Sequence, residues 1–550
     1  MGFILGYLES YAYLCRPVCR RWAIRDLPNK LYIINFKNVL YSMKKIKYVL
    51  MGACVALCAA CSTQSPTVYT NDKGTNWHWE QGTIVVESPE RPAGQESAIN
   101  LTVPKLEVVR VGFVGLGMRG PGAVESFTHI PGTQIVALCD YEQERAERCQ
   151  EYLRKASMPE AAIYSGEKGY EELCKRDDID LVYVATDWMH HFPVAKCALE
   201  NGKNVAIEVP SAMNLAQCWE LIDLSEKTRK HCMILENCCY DWFEMNTLNM
   251  AQQGVFGEVI RAQGAYIHNL DEFWDYYWKD GENDKLGWRL DYNMRHRGDV
   301  YATHGLGPVA QALNIHRGDR MKTLVAMDTK SVVGKALVEE RTDSTCNNFR
   351  NGDHTTTLIR TELGKVIEIQ HDVMTPQPYS RLYQLTGTKG FANKYPIEGY
   401  ALGGDQLSAS GVQPEVDNLS AHSFLPKDEM DALVEKYQHP ILKKYGEMAK
   451  EVGGHGGMDF IMMCRLVYCL QNGLPLDMDV YDLAEWCCLA ELGELSMDNG
   501  CAPVAFPDFT RGEWNKVQGY KHAYAAPEAE KEAADKAAAF TAKLKEQGKK

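Results

Sequence analysis

Two sets of residues in this 550-residue chain have types and spacings suited to chemistry. The first is Gly115-Leu116-Gly117-Met118-Arg119-Gly120, with Asp140 twenty positions beyond its last glycine. Gly115 permits a tight turn, Gly117 lets backbone approach a pyrophosphate, and Gly120 allows close helix packing. A helix opening at that loop presents free N–H groups and a positive dipole end to phosphates. Asp140 accepts from ribose hydroxyls, and its charge repels the extra phosphate of NADP. The second set is richer in protons: Glu236, Tyr266, His268, Tyr301, His304, Tyr379 and His455. Tyr266 and His268 alternate on one face of a strand. Tyr301 and His304, three apart at a helix start, share a face of the helix. Such groups suit general acid–base work. Singly, each also fits packing or a strand end. No cluster shows metal-ligand spacing, and no Gly-x-Ser-x-Gly elbow is present.

The elements that must position these residues follow from periodicity. Val108–Val114, Thr133–Cys139, Ile179–Thr186, Asn204–Val209 and Met233–Glu236 are predicted strands, separated by helical stretches. That alternation predicts a doubly wound parallel sheet, a Rossmann domain over 106–240. Val259–Ile267, Thr323–Thr329, Thr355–Thr361 and Val366–His371 are strand candidates without regular helices between them. They predict a second α+β domain over 241–515 with a mostly antiparallel sheet. The fold class is α/β.

The formal charge of −14 argues against a nucleic-acid partner. Met43–Ala60 reads as a basic start, a short apolar run and small residues before Cys61, the pattern of a cleaved signal peptide with a lipidation site at Cys61. The run is too short to span a bilayer, so membrane contact is expected only through a lipid anchor. Residues 1–42 look like no targeting signal, and Met43 makes the better start. Removing 1–60 takes away nine basic and two acidic residues and leaves −21. Residues 61–105 read as a tether and 516–550 as a charged tail. The 19 cysteines fall mostly in apolar runs, as free buried thiols do.

Glu208-Val209-Pro210 carries a resemblance to the glucose–fructose oxidoreductase and inositol dehydrogenase superfamily, in which the strand usually ends Glu-Lys-Pro. Valine cannot exchange a proton, which counts against a lysine-assisted dehydrogenase. VGFVGLGMRG, TDWMHHFPVAKCALENGKNVAIEVP, GAYIHN, GDVYATHGLGPVAQ and PYSR together resemble glycoside hydrolase family 109, the NAD-dependent branch typified by α-N-acetylgalactosaminidase. The resemblance implies NAD contacts at Met118, Arg119, Asp140, Trp188, His191, Glu208, Val209 and Asn237. It implies a sugar site at Tyr266, Tyr301, His304 and Tyr379, flanked by Glu236 and His268, with Arg289 a further addition. It also implies a tightly held, recycled NAD: oxidation at C3, elimination across C1–C2, water addition and re-reduction. Two alternatives stay open, a net NAD-dependent sugar or cyclitol oxidoreductase and a non-catalytic sugar-binding lipoprotein. The expected setting is the bacterial cell envelope, with a glycan or glycoside as partner and homo-oligomerisation open.

Overall fold

Apolar strands alternating with amphipathic helices bury both faces of a parallel sheet, and residues 109–234 do so. The computed structural model describes residues 66–270, 287–342, 346, 348–404, 406 and 421–549, all but Pro66 in the unit Thr67–Lys550. The chain begins with β1 (Tyr69–Thr70), β2 (Asn76–Glu80) and β3 (Thr83–Val86), paired antiparallel. The parallel sheet follows: β4 (Val109–Val114), β5 (Thr133–Asp140), β6 (Ala162–Ser165), β7 (Leu181–Val184), β8 (Asn204–Ile207) and β9 (Cys232–Ile234), in the order β6-β5-β4-β7-β8-β9. Its crossovers are α1 (Gly120–Phe127), α2 (Gln143–Lys155), α3 (Gly169–Cys174), α4 (Trp188–Glu200) and α5 (Leu215–Thr228). β7 and β8 are buried along their whole length. The strand order reverses between β4 and β7, which opens a crevice at the carboxyl ends of the strands. Gly115, Asp140, Thr186 and Glu208 all lie at those ends.

The rest builds one large sheet with helices beside it. After α6 (Trp242–Gln252) come β10 (Val259–Ile267), α7 (Trp288–Arg295), α8 (Thr303–Ala312), β11 (Met321–Asp328), α9 (Val333–Thr342), β12 (Thr355–Thr361) and β13 (Val366–Asp372). Then follow β14 (Tyr383–Gly387), β15 (Gly390–Lys394), β16 (Gly399–Leu402), α10 (Lys427–Tyr437), α11 (Pro440–Val452), α12 (Met458–Asn472), α13 (Val480–Cys487), α14 (Leu489–Asp498), β17 (Val504–Ala505) and α15 (Pro527–Gly548). The sheet order is β1-β2-β3-β17-β11-β12-β13-β10-β14-β15-β16. Pairing is antiparallel except β10 with β13 and β3 with β17. In that register Tyr266 lies opposite His371.

Three expectations need correction or placement. Residues 66–105 are not a tether within the described chain: β1–β3 join the large sheet, and Trp77, Ile84, Val86, Leu101 and Val103 are buried in the main core. Alternating apolar residues spaced among Ser, Thr and Pro supply enough buried area to hold the segment. Nor do residues 516–549 hang free, since Tyr520 and His522 are buried and α15 buries Ala537 and Leu544. The leader, the signal peptide and Cys61 lie outside the described residues. The described cysteines are free and, Cys197 and Cys501 apart, buried. No helix among the described residues is long and apolar enough to cross a membrane.

Candidate active site

At the crevice, the glycine loop has the shape a dinucleotide needs. Gly115 sits at φ +93°, and a Cβ there would come within 2.4 Å of the Ala185 carbonyl carbon, so only glycine fits between β4 and β7. At Gly117 the nearest obstacle to a Cβ is Arg145 Nη1, 3.8 Å away, so the loop's floor is open. The Asp140 carboxylate accepts from Leu116 N at 2.6 Å and Glu142 N at 3.0 Å, which fixes it at the end of β5. Arg145 stands 3.6 Å from it. Sequence reasoning did not single out Arg145, whose side chain borders the expected ribose position. The residues present fit NAD.

Arg119 ties this loop to the second half of the chain. Its guanidinium donates to Glu208 Oε1 at 3.3 Å and to Asp459 Oδ2 at 3.1 Å, and it lies 3.3 Å from His455 Nδ1. Tyr183 OH also donates to Glu208. Burial works to raise the Asp459 carboxyl, but the His455 hydrogen bond and the Arg119 charge hold it below the usual carboxylate range. Asn237 donates to the other Asp459 oxygen at 2.6 Å. Met118 projects into solvent and Val209 is buried. His191 places Nδ1 2.8 Å from Pro210 O and Nε2 2.9 Å from Thr186 O, so its ring braces the ends of β7 and β8.

The Tyr/His set does converge. β10 and α8 touch through two glycines: a Cβ on Gly264 would lie 2.0 Å from Gly305 O. This approach brings the Tyr266 ring within 5.2 Å of His304 and 5.0 Å of Tyr301, ring centre to ring centre. Tyr266 OH and His268 Nδ1 are 3.1 Å apart. His268 meets Tyr379 edge to face at 4.9 Å. Trp188 stacks on Tyr301 at 5.4 Å, and the Arg289 guanidinium lies 5.1 Å from Trp188 and 4.8 Å from Tyr301. Arg289 is therefore a buried part of the site and not a surface arginine.

His304 and Glu236 form the central pair. His304 Nδ1 lies 2.6 Å from Glu236 Oε1, which also accepts from Cys238 N at 3.1 Å. Burial lowers the His304 pKa despite the carboxylate beside it. Burial opposes the Glu236 charge, yet His304 holds that carboxyl below its ordinary value. The pair is thus a neutral imidazole donating through Nδ1 to a carboxylate, which leaves Nε2 as the basic nitrogen. Burial lowers His268 to about 4, with the charges of Arg381 and Arg289 adding to it, so it too is neutral.

Glu236, Cys238 and His304 also bring a carboxylate, a thiol and an imidazole within 4.8 Å of one another, a grouping that sequence spacing did not reveal. The geometry favours a proton relay over a cation. The 2.6 Å Glu236–His304 contact is a hydrogen-bond separation, whereas ligands sharing a tetrahedral zinc stand about 3.3 Å apart. Arg381 Nη1 lies 3.0 Å from Cys238 Sγ and sets a positive charge beside that sulfur.

Comparison with known proteins agrees with this geometry. Residues 109–236 match the oxidoreductase family with an NAD-binding Rossmann fold, and residues 240–516 match the C-terminal domain of glycosyl hydrolase 109. Glycosyl hydrolase family 109 protein 4 of Phocaeicola vulgatus is 82% identical over 509 residues, covering 92% of this chain and 98% of that protein. The chain belongs to glycosyl hydrolase family 109. Family 109 protein 1 of Bacteroides thetaiotaomicron is 64% identical over 443 residues, 80% of this chain and 93% of that one. Among solved structures, levoglucosan dehydrogenase in complex with NADH and levoglucosan aligns with a TM-score of 0.52 at 16% identity, over 72% of this chain and 99% of that one. An oxidoreductase domain protein from Kribbella flavida gives 0.53 at 15% identity, over 73% and 100%. These last two speak to the fold alone. The family 109 chain is an NAD-binding glycosyl hydrolase built on an oxidoreductase scaffold, and its missed site residues are Arg145, Cys238, Arg381 and Asp459.

Proposed function

We propose that this enzyme hydrolyses terminal α-linked N-acetylgalactosamine, or a related N-acetylhexosamine, by oxidation at C3, elimination across C1–C2, water addition and re-reduction. Tightly bound, recycled NAD supplies a reversible hydride acceptor for C3. The carrying observation is the neutral His304, oriented by Glu236 and facing the Tyr266–Tyr301 cluster, while Val209 holds the place of the superfamily's lysine. His304 Nε2 is a base that needs no prior deprotonation at neutral pH. Tyr266, hydrogen-bonded to His268, is a second proton relay. The two relays match the two protons the route must move, one from the C3 hydroxyl and one from C2. Trp188, Arg289 and Tyr301 form a stacked wall against which a sugar ring packs. This differs from paired-carboxylate hydrolysis, which needs two acids astride the scissile bond.

The test is hydrolysis of aryl α- and β-N-acetylhexosaminides in heavy water with NMR of the released sugar. Deuterium at C2 is expected; release without it would end the elimination reading, and steady-state demand for added NAD would favour a net oxidoreductase. The Val209 position and the Arg119–Glu208–Asp459 linkage further support a cofactor retained through turnover. We also propose export to the cell envelope with an acyl group on Cys61, checked by palmitate labelling of the native chain and of C61A.

A further inference from the structure

Arg381 is a buried cation with poor partners. It is 8% exposed, and among the described residues no carboxylate lies within ion-pair distance of it. Its Nη1 donates to two sulfurs, Cys238 Sγ at 3.0 Å and Met458 Sδ at 3.8 Å, both weak acceptors. Its Nε is buried with no hydrogen-bond partner. Guanidinium groups carry five donors, and leaving them unmet in a low-dielectric site is costly. The fold nonetheless holds this one in place. Ser380 and Ile267 exchange backbone hydrogen bonds at 2.9 Å each way, which pins residue 381 beside the Tyr266–His268 pair. The guanidinium lies 5.6 Å from the Tyr379 ring. Around it therefore stand Cys238, Tyr266, His268, Glu236 and Tyr379, the residues of the candidate site, and its charge is among the causes that keep His268 neutral.

We propose that Arg381 contacts the substrate oxygen that becomes negative during turnover, the C3 oxygen of the oxidised sugar. The inference rests on the C3-oxidation reading. When the C2–H bond breaks, its proton passes to the enzyme's base, its electron pair forms the C2–C3 double bond, and the carbonyl π pair moves onto the C3 oxygen. Arg381 donates hydrogen bonds to that enolate oxygen and takes no proton itself. Departure of the C1 substituent then restores the carbonyl and places the double bond between C1 and C2. A guanidinium held only by weak sulfur acceptors among the described residues is suited to this, because it has donors to give to charge that exists only part-way through the reaction.

The experiment compares R381M, R381K and wild-type enzyme, each with its bound NAD, in two readouts: reduction of the bound cofactor by near-ultraviolet absorbance, and solvent deuterium exchange at C2. Exchange is expected to fall about 10²- to 10³-fold in R381M, less in R381K, with cofactor reduction much less affected in both. A merely structural role would lower both steps together, and that result, or wild-type exchange, overturns the proposal. R381K is read by the same split, so the outcome does not depend on R381M folding. Loss confined to 2-acetamido substrates, with 2-hydroxy analogues unaffected, would also overturn it, assigning the guanidinium to the amide. Wild-type enzyme that shows no exchange at C2 would instead refute the underlying reading, whatever the variants do.

Discussion

His304 and His316 stand near opposite ends of one helix, α8, and each meets a buried glutamate: His304 reaches Glu236 at 2.6 Å, and His316 reaches Glu485 at 2.7 Å. Their charge states differ. His304 lies in the first turn of α8, where the free N–H groups disfavour a cation, and Arg381 adds to that field. One carboxylate is not enough to outweigh burial there. His316 faces three carboxylates, with Asp479 at 3.4 Å and Asp482 at 3.8 Å besides Glu485. Burial and the neighbouring Arg317 oppose its charge, yet the three acids raise it to about 10. All three come from α13 and its N-cap, spaced three apart on one face. A buried His–Glu contact is thus no signature of a relay by itself. The balance of surrounding charge decides whether the imidazole can accept a proton or already holds one.

The largest effect should come from breaking the first pair. His304→Ala is expected to lower kcat by about 10²- to 10⁴-fold while bound NAD survives gel filtration, and Tyr301→Phe should act in the same direction. Wild-type-like rates would remove these residues from the chemistry. The second pair should answer in stability and not in rate. His316→Gln leaves Glu485 without its cation and Asp479 with Arg317 alone, 3.7 Å away, and should cost about 3–5 kcal/mol in urea denaturation, with turnover per folded molecule retained. Protonation then sharpens the contrast. Because folding raises the His316 pKa above about 6.5, its contribution is complete below that value and is lost as pH climbs through about 10. The wild-type denaturation midpoint should fall across that window more steeply than that of His316→Gln. The smallest effect concerns the helix between them. Gly305→Ala puts a Cβ 2.8 Å from Ala265 N, which should cost about 1–3 kcal/mol and lift His304 away from Tyr266.

What was legible in the sequence was what is local. The glycine loop, β4, β5 and Asp140 fall within one short stretch, and β10 runs over Val259–Ile267 as its apolar pattern indicates. Tyr266 with His268 was readable from the strand period, whereas Tyr301 stands just before α8 and not on it, and meets His304 at 4.9 Å from the preceding turn. β6 escaped because three half-buried residues and an exposed serine at a sheet edge carry almost no pattern. β15 and β16 escaped because glycines and polar residues interrupt them. β1–β3 were hidden by the Ser- and Thr-rich composition around Trp77, Ile84 and Val86. Arg381 with Cys238, and Asn237 with Asp459, lie 143 and 222 positions apart, so only the fold could join them.

The folding of residues 69–86 into the large sheet alters what an anchor at Cys61 would mean. With a tether ending near residue 105 the enzyme would range over a wide radius. With Tyr69 already in a strand, only eight residue steps lead from it to the proposed acyl group. Fully extended, they reach at most about 29 Å. An enzyme held that closely works as a surface catalyst: its encounter rate is set by how densely glycans crowd the membrane's edge, and hardly by their concentration in the surrounding fluid.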